Sequence, residues 1–270
     1  MKNAIILLLT FTLSYGSYSQ SDTTDYFKKG VAKSYLKDYR GAMQDYNKAI
    51  DIDPKHKNAY YGRGYAKTWL KDYEGAIQDF NKVIEIDPKD KYAYNGRGYA
   101  KTWLKDYEGA IQDFNKVIEI DPEYKIAYYE RGVAKTDLKK YRGAIQDFNK
   151  VIEMDPKHKK AYYERGVAKS YLKKYRGAIQ DFNKAIDLDP EYKNAYYQRG
   201  NAKTRLKDYR GAIQDFNKVI EIDPKDKYAY NQRGVAKSWL KNIYGACLDW
   251  SKAGELGHNM AYDLIKKYCN

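Results

Sequence analysis

The residues of this chain that could do chemistry recur at one interval instead of meeting in one place. Arg63, Arg97, Arg131, Arg165, Arg199 and Arg233 are each followed sixteen residues later by an aspartate: Asp79, Asp113, Asp147, Asp181, Asp215 and Asp249. Lys29 and Asp45 open the same series. A lysine accompanies every pair, at Lys33, Lys67, Lys101, Lys135, Lys169, Lys203 and Lys237. The chemistry on offer is charge neutralisation. An unpaired buried guanidinium is costly, so a carboxylate is expected beside each arginine, giving a ladder of ion pairs between packed helices. The other reading is a line of arginines facing an anionic ligand.

The remaining reactive side chains are few. His56, His158 and His258 are too sparse for a histidine metal site and read as solvated loop residues. Acids such as Glu85 and Asp87 read as solvated charge and loop structure. Cys247 and Cys269 either pair and staple the C-terminal helix or remain two free thiols. There is no G-x-x-x-x-G-K-[ST], G-x-G-x-x-G, HExxH, CxxC or G-x-S-x-G. Gly62-Arg63-Gly64 and Gly96-Arg97-Gly98 are weak G-x-G fragments within a helical stretch. Nothing here warrants catalysis, a cofactor or a metal, and the chain is read as non-enzymatic.

The elements that position these residues follow from the prolines. Pro54, Pro88, Pro122, Pro156, Pro190 and Pro224 are the only ones in 270 residues, and each interval is 34. Such spacing means a tandem repeat. In the second unit, Asn58 to Leu70 reads as one helix, Lys71-Asp72 as a short break, and Tyr73 to Ile86 as a second helix. Tyr73, Ala76, Ile77, Phe80, Val83 and Ile84 lie on one helical face. Asp87-Pro88 ends that helix, because the residue before proline disfavours the α region. Two such helices cannot bury their apolar stripes alone, so the units must stack. Units two and three repeat Arg63–Pro88 almost unchanged as Arg97–Pro122, which favours an extended binding face over one unique active site.

The ends differ. Lys2 followed by the apolar stretch 4–13 and Ser17-Tyr18-Ser19 reads as a signal peptide over residues 1–19. Ten apolar residues make only about 15 Å of helix, too short to span a hydrocarbon core of roughly 30 Å. An uncleaved anchor is the competing reading. The expectation is an exported, periplasmic or secreted protein with no integral membrane segment after signal removal. The formal charge is +14, yet an exported protein rarely meets nucleic acid, so no nucleic-acid partner is expected. At the other end, Ala261, Leu264, Ile265 and Tyr268 form one stripe, with Asp263, Lys266 and Lys267 outside it.

The period, with Gly64 at repeat position 8, Ala76 at 20, Phe80 at 24 and Pro88 at 32, resembles the tetratricopeptide repeat. The resemblance covers seven units: 23–56, 57–90, 91–124, 125–158, 159–192, 193–226 and 227–260. It implies an all-α, right-handed superhelical α-solenoid of antiparallel helix pairs, with residues 261–270 as a C-terminal capping helix. Gly at position 8 and Ala at 20 would let the two helices approach closely. The resemblance also implies a groove lined by the first helices. Carried over position by position, its candidates are Tyr61, Tyr65, Trp69, Asn95, Tyr99, Trp103, Tyr129, Tyr163, Tyr171, Asn201, Arg205, Asn231 and Trp239. Tyr, Trp and Arg dominate binding hot spots. Positions 5 and 13 can equally be packing against the next unit. A family mode that grips a C-terminal carboxylate needs Asn at position 9 in adjacent units, and only Asn201 supplies one.

Two functions compete. One is a protein-interaction scaffold of the cell envelope or secreted space, holding an extended peptide or partner helix. The other is a binder of carbohydrate or acidic polymer, with tryptophans stacking on sugars and the basic excess meeting acids.

Overall fold

A computed structural model describes residues 22–269, so the leader assigned to residues 1–19 lies outside the described part. The described residues form fifteen α-helices and no strand. They are α1 (22–35), α2 (Tyr39–Ile52), α3 (Lys57–Trp69), α4 (Tyr73–Ile86), α5 (Lys91–Trp103), α6 (Tyr107–Ile120), α7 (Lys125–Asp137) and α8 (Tyr141–Met154). There follow α9 (Lys159–Tyr171), α10 (Tyr175–Leu188), α11 (Lys193–Arg205), α12 (Tyr209–Ile222), α13 (Lys227–Trp239), α14 (Ile243–Glu255) and α15 (Met260–Tyr268). Six first helices thus begin every 34 residues from Lys57 to Lys227. They fall in two compact bodies, one ending at Ala134 and one beginning at Lys135.

Within each body the second helices carry the core. In α4, Ala76, Phe80 and Val83 are buried; in α12, Ala212, Phe216 and Val219 are buried. Burying a side chain of the Phe class is worth about 1.5–3 kcal/mol. The glycine at position 8 is needed for this packing. A Cβ on Gly64 would stand 3.1 Å from the Phe80 ring, and one on Gly166 only 2.7 Å from Phe182.

Two residues suffice to turn from the first helix to the second. Lys71 donates its backbone N–H to Thr68 and Asp72 donates to Lys67, closing α3 with the paired bonds of a Schellman motif. The residue at the left-handed position is a lysine, not a glycine. Lys37, Lys71, Lys105, Lys139, Lys173, Lys207 and Lys241 all have φ between 59° and 65°. The next residue is the N-cap of the second helix. Asp38, Asp72, Asp106, Asp208 and Asn242 each accept a hydrogen bond from the glycine amide three residues on. In α8 and α10 that position is Lys140 or Lys174, and no side chain caps the helix. A missing cap costs about 1 kcal/mol, and a cation at the positive end of the helix dipole adds to it.

Two histidines are corrected here. His56 and His158 are not simply solvated: each Nδ1 accepts the backbone N–H three residues on, at 3.1 Å, and so caps α3 and α9. An unprotonated ring nitrogen does the work that an N-cap carboxylate does at Asp90 and Asp226. Asp87 is also more than a solvated loop acid. Lys57 Nζ, one first helix earlier, binds it at 2.8 Å, and Lys91 binds Asp121 at 2.6 Å in the same way. These lysine hydrogen bonds hold both carboxyl groups below their ordinary range.

At the C-terminus, Ala261, Leu264 and Ile265 of α15 pack on Ala246, Trp250 and Ala253 of α14. Cys247 and Cys269 are joined by a disulfide, with Cα atoms 5.9 Å apart.

Candidate functional site

The repeated charges resolve into a three-way contact. Asp79, 2% exposed, accepts from Arg63 Nη2 at 2.6 Å and from Nε at 3.0 Å. Lys67 Nζ lies 2.9 Å from Oδ2, the oxygen that also accepts from Nε. The same triad forms at Arg97–Asp113–Lys101, Arg165–Asp181–Lys169, Arg199–Asp215–Lys203 and Arg233–Asp249–Lys237. Each arginine also donates Nη1 to an asparagine of the preceding repeat: Arg63 to Asn47, Arg97 to Asn81, Arg165 to Asn149, Arg199 to Asn183 and Arg233 to Asn217. Its guanidinium carbon sits 5.3 Å from the Tyr60 ring in the first of these. Of the two readings of the arginine series, the ion-pair ladder is the one observed for these arginines. Lysine completes it, because one carboxylate has lone pairs for two cations. At the N-terminal end the pattern shifts: Lys29 pairs with Asp25, and Lys33 with Asp45.

With those cations committed, the clefts between successive first helices are left to other residues. In the N-terminal body, a cleft of about 380 Å³ lies between α3 and α5. Tyr61, Tyr65 and Trp69 form one wall, Asn95, Tyr99 and Trp103 the other, and Phe80 and Gly96 the floor. The walls are held by ring contacts. Trp69 stacks on Tyr39 and Trp103 on Tyr73, with centroids 5.7 and 5.8 Å apart and planes 2° and 4° from parallel. Tyr65 and Tyr99 meet the same tryptophans edge-on. Both tryptophans are still 56% exposed. One indole face is therefore fixed and the other is free. A neighbouring cleft between α1 and α3, of about 390 Å³, is lined by Phe27, Val31, Tyr35, Tyr46, Gly62 and Tyr65, among others.

Glycine at position 6 lets these floors form. A Cβ on Gly96 would stand 2.6 Å from Cζ of Phe80, and one on Gly62 only 2.5 Å from Cζ of Tyr46. The two G-x-G fragments are thus packing devices, one glycine for each neighbouring aromatic ring. No sequence signal short of comparing position 6 across repeats marks this, since the later units carry Glu130, Glu164, Gln198 and Gln232 there.

The C-terminal body presents a different cleft, of about 350 Å³, between α9 and α11. Val167, Ser170, Tyr171, Lys173 and Tyr175 face Gln198, Asn201, Ala202 and Arg205. Ser170 Oγ is enclosed here without a hydrogen-bond partner. Arg205 occupies the position that Trp69 and Trp103 hold in the N-terminal body. Tyr171 and Trp239 keep the ring-on-ring arrangement, on Tyr141 and Tyr209. The sequence reading missed Ser170, Lys173, Tyr175 and Gln198, because it carried over fixed positions of the first helix alone.

Position 5 is less available than position 13. Tyr61 packs on Phe80 at 5.8 Å, Tyr163 on Phe182 at 6.0 Å and on Tyr192 at 5.2 Å. Burial pushes both hydroxyls up to about 12. Tyr129 is half-buried. The Oδ1 atoms of Asn95 and Asn231 are enclosed without partners.

The sequence matches the tetratricopeptide repeat family over residues 58–90, 92–124, 126–158, 160–192 and 194–226, with a further TPR repeat match at 35–68. The chain therefore belongs to that family, whose members are generally non-catalytic interaction scaffolds. No curated protein matches it. Among solved structures, it is similar to the C-terminal part of a TPR repeat-containing protein from Cytophaga hutchinsonii (20% identity, 88% of this chain and 98% of that one, TM-score 0.73). It is likewise similar to a tetratricopeptide repeat protein from Parabacteroides merdae (22% identity, 93% and 100%, TM-score 0.69). A third is YrrB, described as a TPR protein with an unusual peptide-binding site (21% identity, 68% and 95%, TM-score 0.59). At these identities the likeness shows the fold, an α-solenoid of antiparallel helix pairs. Among the described residues, no helix is long and apolar enough to cross a membrane.

Proposed function

We propose that this protein is a non-catalytic scaffold that holds an extended segment of a partner protein along the clefts between its first helices. The observation that carries this reading is the α3–α5 cleft. Its tryptophans are pre-oriented by stacking, keep one face exposed, and flank a floor opened by Gly96. Rigid aromatic rings lose little rotamer entropy on binding, which suits them to anchor a partner's side chains. The family supports a protein or peptide partner, and YrrB shows that the fold supports peptide recognition in another chain. The array is proposed to comprise seven repeats over 23–260 and a cap over 261–270. The chain is further proposed to be exported after loss of residues 1–19. The Cys247–Cys269 disulfide fits an oxidising compartment.

The test is selection of peptides from a random library displayed on phage, using the wild-type chain as bait. Selected peptides should lose at least tenfold in affinity on Trp69→Ala with Trp103→Ala, while the helical signal is kept. Each truncation removes one stacked ring pair, about 1 kcal/mol, so the variant still folds. Failure to enrich any peptide would overturn the reading.

A further inference from the structure

The repeats are alike inside and unlike at the turn joining their two helices. In the second and third repeats this turn reads Lys71-Asp72-Tyr73-Glu74 and Lys105-Asp106-Tyr107-Glu108. In the fourth and fifth it reads Lys139-Lys140-Tyr141-Arg142 and Lys173-Lys174-Tyr175-Arg176. The same four positions thus change from net acidic to strongly basic. Within the C-terminal body the change continues into the sixth repeat with Arg205, Lys207 and Arg210.

In the fifth and sixth repeats these cations are not absorbed by the fold. Lys173, Lys174, Arg176, Arg205, Lys207 and Arg210 are all exposed, and none makes an ion pair with any described residue. The acid among them, Asp208, has its Oδ1 engaged by the Gly211 amide as a helix cap. The ladder cations differ: Arg165 and Lys169, for example, are both bound to Asp181. Meanwhile α10 does without the side-chain cap that Asp72 and Asp106 supply to α4 and α6, and carries Lys174 at the positive end of its dipole. α8 repeats the sacrifice with Lys140. The fifth repeat thus gives up local stability to hold positive charge at this edge. Broken local rules of this kind are expected where function demands them.

We infer that the basic edge of repeats four to six is a docking surface for an acidic segment of the partner protein. This rests on the scaffold reading above and names the chemistry of the partner. The cleft between α9 and α11 fits that occupant. Lys173 and Arg205 supply charge from opposite sides of it, Tyr171 and Tyr175 supply apolar walls, and Gln198 and Asn201 offer both a donor and an acceptor to a peptide backbone. A simple polyanion would need the charges alone.

The experiment uses a fluorescein-labelled peptide of about twelve residues rich in glutamate, and the same peptide with glutamine in place of each glutamate. Anisotropy titrations of the full chain are run at roughly 50 and 300 mM salt. The glutamate peptide should bind at least tenfold tighter, and the advantage should shrink at the higher salt. A variant that gives repeats four and five the turns of repeats two and three (Lys140→Asp, Arg142→Glu, Lys174→Asp, Arg176→Glu) should lose that advantage. The same variant should melt about 4–8 °C higher, because two caps of about 1 kcal/mol each are restored. Equal binding of the two peptides, or full binding by the variant, overturns the inference. So does tighter binding of polygalacturonate at matched charge, which would make an acidic polysaccharide the occupant. Enrichment of peptides from the random library, with no advantage of the glutamate peptide over the glutamine one, would sink the inference and leave the scaffold reading standing. If the random library also yields no binder, the scaffold reading itself falls.

Discussion

The cleft between α3 and α5 and the cleft between α9 and α11 are built on the same frame and finished differently. Both have a buried aromatic at position 24, Phe80 or Phe182, and an Arg–Asp–Lys triad with a buried aspartate behind it. In the first, position 6 is Gly96 and position 13 of the following helix is Trp103; in the second the same positions are Gln198 and Arg205. Removing one side chain opens the floor to an aromatic ring. Adding an amide and a guanidinium fills the other with hydrogen-bonding groups. The difference teaches that the repeat separates its tasks by position. Positions 7, 8, 11, 20, 23 and 24 hold the helices together around both clefts, so positions 6, 9, 13 and 16 are free to vary what the surface offers.

The strongest way to break this comparison is to attack the shared frame. Asp113→Ala and Asp215→Ala each leave an arginine and a lysine without their carboxylate. Removing one partner of a buried ion pair is strongly destabilising, and with cations still partly solvated a loss of about 3 kcal/mol is expected. The two variants should lose equally in chemical denaturation. If one is silent, the bodies do not share a frame.

A smaller effect tests the floor. Gly96→Gln gives the N-terminal cleft the residue of the C-terminal one. The new Cβ would meet Phe80 at 2.6 Å, so the ring must move. Overpacking typically costs 1–3 kcal/mol, offset by about 1 kcal/mol of regained helix propensity. A net loss of about 1 kcal/mol in thermal unfolding is expected, together with loss of peptide affinity. Unchanged affinity would mean the open floor has no role in recognition.

The smallest effect sharpens the contrast at the turns. Lys71→Gly and Lys173→Gly each relieve a side chain from the left-handed region, at φ 65° and 59°. Each should stabilise by about 0.5 kcal/mol, the lysine's strain being partly offset by glycine's greater unfolded-state freedom. Their stability gains should match, whereas only Lys173→Gly should weaken binding of the glutamate peptide. Equal loss from both would assign the binding to the lysine row as a whole.

Much of the architecture was legible because it rests on local rules repeated many times. The helix predicted over Tyr73 to Ile86 has those bounds in α4. Asp before Pro forces an end to the second helix, and small residues at positions 8 and 20 announce close approach. The arginine series could be read as ladder or as ligand site, and burial of the aspartates decides for the ladder. The histidine caps were not legible, since capping depends on which backbone amide the ring reaches. The left-handed lysines were hidden for a related reason. The Schellman geometry wants glycine, and nothing local says that lysine takes its place.

The sequence by itself determined the period, the two helices per repeat, the sixteen-residue register of arginine and aspartate and the helical stripe of the C-terminal segment. These depend on spacing, and spacing survives without coordinates. Only the tertiary structure decided which face of each tryptophan is covered, that Cys247 meets Cys269, and that Gly96 and Gln198 open or fill the clefts. Those outcomes depend on the distance between neighbouring repeats, because one Cβ placed 2.6 Å from a ring separates an open floor from an obstructed one.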